Sequence, residues 1–181
     1  MSATAATLAI ASPRAGGVAV GAAGVAAAGW VASGMLTAIP AGIGLAAVAA
    51  TDLSTHHFSL RTLGWASSFV VAALIADSIV LVSWDRLGVA LVGSAAVAIV
   101  LVVGWLGTAG LAFGDVLLVP FAIALPLYLS ALGAAVTVGV ALVAAALSAV
   151  LQAVRVGVNR SRAVPLAPPL LLGWITGVMV G

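Results

Sequence analysis

The chain has 181 residues, of which 65% are hydrophobic and only 6% charged, far too little charge to clothe a soluble domain. The composition is that of an integral membrane protein, and the net charge of +2 comes without any basic cluster interleaved with aromatics, which excludes nucleic acid as a partner. Lys, Glu and Cys are absent, so a disulfide framework, a thiolate metal site and a thiol nucleophile are excluded as well.

Uncharged windows set the elements. Ala15 to Thr51 is 37 residues, Leu87 to Gly114 is 28, Val116 to Val154 is 39 and Ala163 to Gly181 is 19. A helix needs roughly 20 apolar residues to cross the hydrocarbon core, so the two longest windows are helical hairpins and the others single crossings. Thr62 to Trp84 adds one more, interrupted only by Asp77. A membrane β-barrel is excluded because alternating polar positions are missing. The prediction is an all-α, polytopic transmembrane bundle of about seven spans.

In chain order, residues 1–15 form a cytoplasmic tail and 16–181 one transmembrane domain, with spans at 16–34, 36–52, 62–83, 87–107, 116–134, 135–154 and 164–181. The first span also has signal-peptide features, with small residues after its apolar run at "AAAGW". A hairpin break is expected at Ser33-Gly34 and another around Leu132-Gly133. Pro120 and Pro126 fall inside the fifth span and should kink it. With the N-terminus inside, Arg14, Arg61, Arg155, Arg160 and Arg162 lie in the cytoplasm and only Arg86 outside, as the positive-inside rule requires. Trp65 and Trp105 then fall near the inner interface and Trp84 near the outer one. Gly17 with Gly21, and Gly104 near Gly107 and Gly110, are spaced for close helix packing.

The four acids carry the chemistry. Asp85 sits beside Arg86 in an outer turn and reads as a solvated loop acid. Asp77 lies deep in the third span, where an ionisable group is expensive. It is either an ion site of a small transporter subunit or a protonated structural residue hydrogen-bonded to Ser78 or a neighbouring helix. Asp52 ends the second span and Asp115 begins the fifth, so two carboxylates 63 residues apart meet at one membrane face. Such a pair can divide its labour: one holds a proton and polarises a carbonyl, the other takes a proton from water. The plain alternative is two interfacial acids at helix ends, Asp115 being favoured by the helix dipole. His56-His57 lacks companions for a metal site, and the arginines near the C-terminus serve topology.

Three stretches together resemble the prepilin peptidase family of intramembrane aspartyl proteases. "TDLSTHHFSLRTL" from Thr51 looks like the family's span-ending Asp and polar loop. "AFGDVLL" is similar to its Gly-x-Gly-Asp motif, and "VPLAPPLLLG" from Val164 to the opening of its last helix. The resemblance implies a catalytic pair of Asp52 and Asp115, supported by Phe113, Gly114, Val116, Pro165 and Pro168. It implies cleavage of the leader of a prepilin or pseudopilin precursor, in a type IV pilus or protein secretion system, at the cytoplasmic face of a bacterial inner membrane. No cofactor is implied, and methylation of the new N-terminus is unsupported because the family's Cys-containing insert is missing. The partners are the precursor and the bilayer; a homodimer is compatible with the sequence. Ala112, Leu117, Phe58-Ser59-Leu60 and Ala167 depart from the family pattern, which leaves a catalytically inactive member as an alternative beside the transporter.

Overall fold

The computed structural model describes the backbone of residues 13–55, 60–107, 113–156 and 166–181. The expected tail through residue 12, His56, His57, Phe58, Ser59, Ala112, Arg160, Arg162 and Pro165 lie outside these described residues, as do the side chains of Arg14 and Arg155. Within them run α1 (Pro13–Ser33), α2 (Ala38–Thr55), α3 (Leu60–Leu81), α4 (Trp84–Gly107), α5 (Phe113–Leu129), α6 (Ala131–Val156) and α7 (Ala167–Val180), with no strand. The all-α membrane bundle expected from composition is the fold found. In a hydrocarbon solvent each backbone N–H and C=O must find its partner inside the segment, and a helix does this locally.

The helices divide by length and position. α3, α4 and α6 are long and apolar enough to cross a membrane, and their outward faces carry exposed Val80, Val92, Leu106 and Val143. Trp84 and Trp105, both exposed, stand 21 residues apart on α4, a rise of about 31 Å that matches the hydrocarbon thickness of about 30 Å. That separation suits the two interfacial belts that amphipathic indoles prefer. By contrast α5 and α7, of 17 and 14 residues, are interior helices. Leu118, Ala122, Leu125 and Trp174 are fully buried, and α7 is packed by α6, α2, α5 and α1.

Three tight connections make the hairpins. At the end of α1, Gly34 adopts φ +67° and donates its N–H to Trp30 O at 2.7 Å, as expected for a break at Ser33-Gly34. α3 closes by a longer turn, Ser83 N donating to Ser78 O at 3.1 Å, and the left-handed position before it is held by Val82 at φ +51°. The break expected around Leu132-Gly133 falls instead at Ser130, whose Oγ accepts the Gly133 N–H at 2.9 Å and caps α6. Gly133 serves a different purpose. It faces α7, where a Cβ on it would meet Gly177 O at 2.8 Å.

That contact belongs to the closest helix pair. Gly173 and Gly177 of α7 lie on Gly133, Thr137 and Ala141 of α6, small residues at four-residue spacing on both helices. A Cβ at Gly177 would strike Thr137 Oγ1 and Gly133 O. Lipid tails are as apolar as the helices, so shape and close approach drive such pairing rather than hydrophobicity. Of the glycines expected to pack elsewhere, Gly21 and Gly107 face open space. α5 runs as one helix through both prolines, the missing N–H of Pro120 leaving Val116 O without its helical donor.

Candidate functional site

Two ends of the bundle carry polar groups, and the helix directions decide which residues meet there. Gly44 of α2 packs between Ala66 of α3 and Phe121 of α5. From that contact Asp52 lies eight residues further along α2, about 12 Å, and Asp115 six residues back along α5, about 9 Å. α2 and α5 run in opposite directions and pack on each other, so both displacements point to the same end. Asp52 and Asp115 thus share one end of the bundle.

Aromatic side chains gather at this end. Phe113, two residues before Asp115, is exposed and its ring lies 5.3 Å from that of Trp105, tilted by 55°. The exposed Trp65 stands at the same end of α3, beside Phe69. Asp115 is half-buried in the first turn of α5, between half-buried Gly114 and fully buried Val116. Leu117, where the resembled motif has a basic residue, is turned toward a crevice between α3, α4 and α5.

Asp52 is buried, and its Oδ2 accepts the backbone N–H of Ala167 at 3.3 Å. Ala167 opens α7, followed by half-buried Pro168 and buried Pro169. The fold therefore joins two of the three motif stretches, the acid near the end of α2 and the proline-rich start of the last helix. It sets the third, around Asp115, on a helix packed against both. Ala167, a departure from the resembled pattern, contributes its backbone rather than its side chain.

The opposite end holds a polar network in which Asp77 bonds a neighbouring helix, one of the two structural partners expected for it, and not Ser78. Asp77 lies one turn from the end of α3, not at mid-depth, and is buried. Its Oδ1 accepts Leu36 N at 3.1 Å, and its Oδ2 accepts Thr37 N at 2.9 Å and Thr37 Oγ1 at 2.6 Å. These are the orphan donors ahead of α2, so Asp77 caps that helix from outside it. Ser78 does not bond Asp77. Its Oγ donates to Leu74 O at 2.6 Å and lies 3.1 Å from the Tyr128 hydroxyl, which shares a 2.5 Å hydrogen bond with Ser83 Oγ. One available signal was Tyr128, the sole tyrosine, since a buried phenol must find a partner.

One rule covers all four acids. Asp52 meets the N-terminus of α7 and Asp77 that of α2, while Asp115 and Asp85 stand in the first turns of α5 and α4. A helix N-terminus carries partial positive charge and unbonded N–H groups, so it is where a carboxylate is tolerated in so apolar a chain. Asp85 and Arg86, both exposed, accordingly belong to α4 itself rather than to a loop.

The fold is an all-α membrane bundle with Asp52 and Asp115 at one end and a capped structural network at the other. No family model, curated protein or solved structure matches the chain.

Proposed function

We propose that the protein is a membrane aspartic endopeptidase of the prepilin-peptidase type, cleaving the leader of a pilin-like precursor at the cytoplasmic face of a bacterial inner membrane. The observation that supports the proposal is that Asp52 and Asp115 lie on packed helices at the same end of the bundle, near the Trp105–Phe113 contact. Interfacial depth supplies water to the site and leaves the backbone at the start of a substrate's apolar helix poorly solvated. In this mechanism one carboxylate takes a proton from the attacking water. The other, protonated, donates to the scissile carbonyl oxygen as the tetrahedral centre forms. The proton then passes to the leaving amine as the peptide bond breaks. Gly114 keeps the approach to Asp115 free of a side chain.

The hydrogen bond from Ala167 N to Asp52 favours a second reading, an inactive member in which Asp52 only anchors α7. Co-expression of a pilin-like precursor with the wild type, Asp52→Asn and Asp115→Asn decides between them. The enzyme cuts the precursor and both variants fail. Cleavage that survives either substitution removes the pair, and an uncut precursor with wild type supports the inactive reading. A transporter built on Asp77 is disfavoured because both oxygens of that carboxyl already serve the α2 N-terminus.

A further inference from the structure

Asp115 and Tyr128 are the polar side chains of α5, one near each end, and every residue between them is apolar. Tyr128 is fully buried. Its hydroxyl lies between Ser78 Oγ of α3 at 3.1 Å and Ser83 Oγ of the α3–α4 turn at 2.5 Å. Ser83 O also accepts the Leu87 N–H at 3.3 Å, so the same serine opens α4. The end of α5 is thus pinned to the end of one neighbouring helix and the start of another.

The same stretch of α3 pins α2. Asp77, next to Ser78, accepts Leu36 N, Thr37 N and Thr37 Oγ1 at the start of α2. Asp52 stands 15 residues beyond Thr37, about 22 Å of helix, and Asp115 stands 13 residues before Tyr128, about 20 Å. Each acid is therefore set off from one of two adjacent residues of α3 by a similar length of helix. An apolar side chain that slips by one turn meets apolar neighbours again, whereas a buried hydroxyl that slips loses its partners. A Phe at 128 would fill the same space with no hydroxyl to satisfy, so what the hydroxyl contributes is register.

We infer that Tyr128 is a positioning residue: clamped by Ser78 and Ser83, it fixes α5 along its axis and so sets Asp115 against Asp52. Its effect on cleavage rests on the leader-peptidase reading above, and its effect on helix position does not. Without the clamp α5 shifts against α2, and the two carboxyls no longer address one water and one carbonyl in the same geometry.

The test uses the full chain in membranes. Because the chain has no cysteine, Thr51→Cys and Phe113→Cys, both at exposed positions, place spin labels near Asp52 and Asp115 and nowhere else. Pulsed electron paramagnetic resonance reads the label separation with Tyr128→Phe, with Ser78→Ala plus Ser83→Ala, and with Gly21→Ala as the control. Cleavage of a co-expressed precursor is followed in the unlabelled chain with the same substitutions. The expected separation shifts or broadens by about 2 Å or more in both clamp variants, slightly over one residue of helix rise, and not in the control. In both, kcat should fall about tenfold with KM within about twofold, since the reacting groups move while the substrate's contacts stay. Combining the three substitutions should add nothing to either loss, as expected of a single clamp. An unchanged label separation in Tyr128→Phe overturns the inference, even if its melting midpoint falls. If the wild type cuts and Tyr128→Phe cuts with the wild-type kcat, the inference falls and the peptidase stands. If the separation shifts but the wild type leaves the precursor uncut, the clamp stands and the peptidase reading falls.

Discussion

Asp77 and Thr37, forty residues apart, are joined twice, by the Thr37 hydroxyl at 2.6 Å and the Thr37 backbone N–H at 2.9 Å on the same carboxyl oxygen. The pair ties the end of α3 to the start of α2 and satisfies donors that would otherwise be buried unbonded. Asp77→Asn sets an amide N–H₂ against these donors and should cost about 1–3 kcal/mol. Thermal unfolding in detergent, followed by far-UV circular dichroism, measures it. An unchanged midpoint would show that the cap does not support the fold. Ion flux in liposomes should be the same for both proteins.

The α6–α7 contact makes the sharpest packing prediction. Gly177→Val forces a branched side chain into Thr137 and Gly133 O, and overpacking of this kind costs about 1–3 kcal/mol or more. Gly21→Ala, introduced where nothing lies within 4 Å, should be neutral or slightly stabilising. If the two substitutions shift the melting midpoint equally, the interface is not as close as described.

Val82 holds a left-handed conformation that a β-branched residue adopts only at a cost of roughly 1–2 kcal/mol. Its side chain is 79% exposed, so little packing compensates. Val82→Gly should therefore raise stability by about 1 kcal/mol, read from the same melting curves. A lower midpoint would mean that Val82 makes contacts worth more than the strain.

Asp52 offers a way to separate chemistry from architecture. Asp52→Asn keeps an oxygen for the Ala167 N–H, whereas Asp52→Ala removes it. Both should reduce precursor cleavage by at least about 100-fold if the residue is a catalytic acid or base. Only Asp52→Ala should also destabilise the start of α7, by about 1 kcal/mol. Cleavage retained by Asp52→Asn alone would assign Asp52 to anchoring.

The amino-acid sequence alone determined the helical membrane class and the near positions of all seven helices, because length and charge-free windows depend only on composition along the chain. Gly34 was readable as a turn since a left-handed position at the end of an apolar run favours glycine. The placement of Asp52 and Asp115 at one end of the bundle was readable too, because successive apolar segments alternate in direction. What only the tertiary structure decided was every lateral relationship: Asp77 on Thr37, Ala167 on Asp52, Tyr128 on two serines, and Gly173 with Gly177 rather than Gly21 or Gly107 as the packing glycines. The physical reason lies in the solvent. A helix in water reveals its buried face as an apolar stripe, but here lipid and protein interior are equally apolar, so no stripe distinguishes them. Facing is then set by shape and by the few polar groups that must find partners, and both become visible only when the helices are assembled.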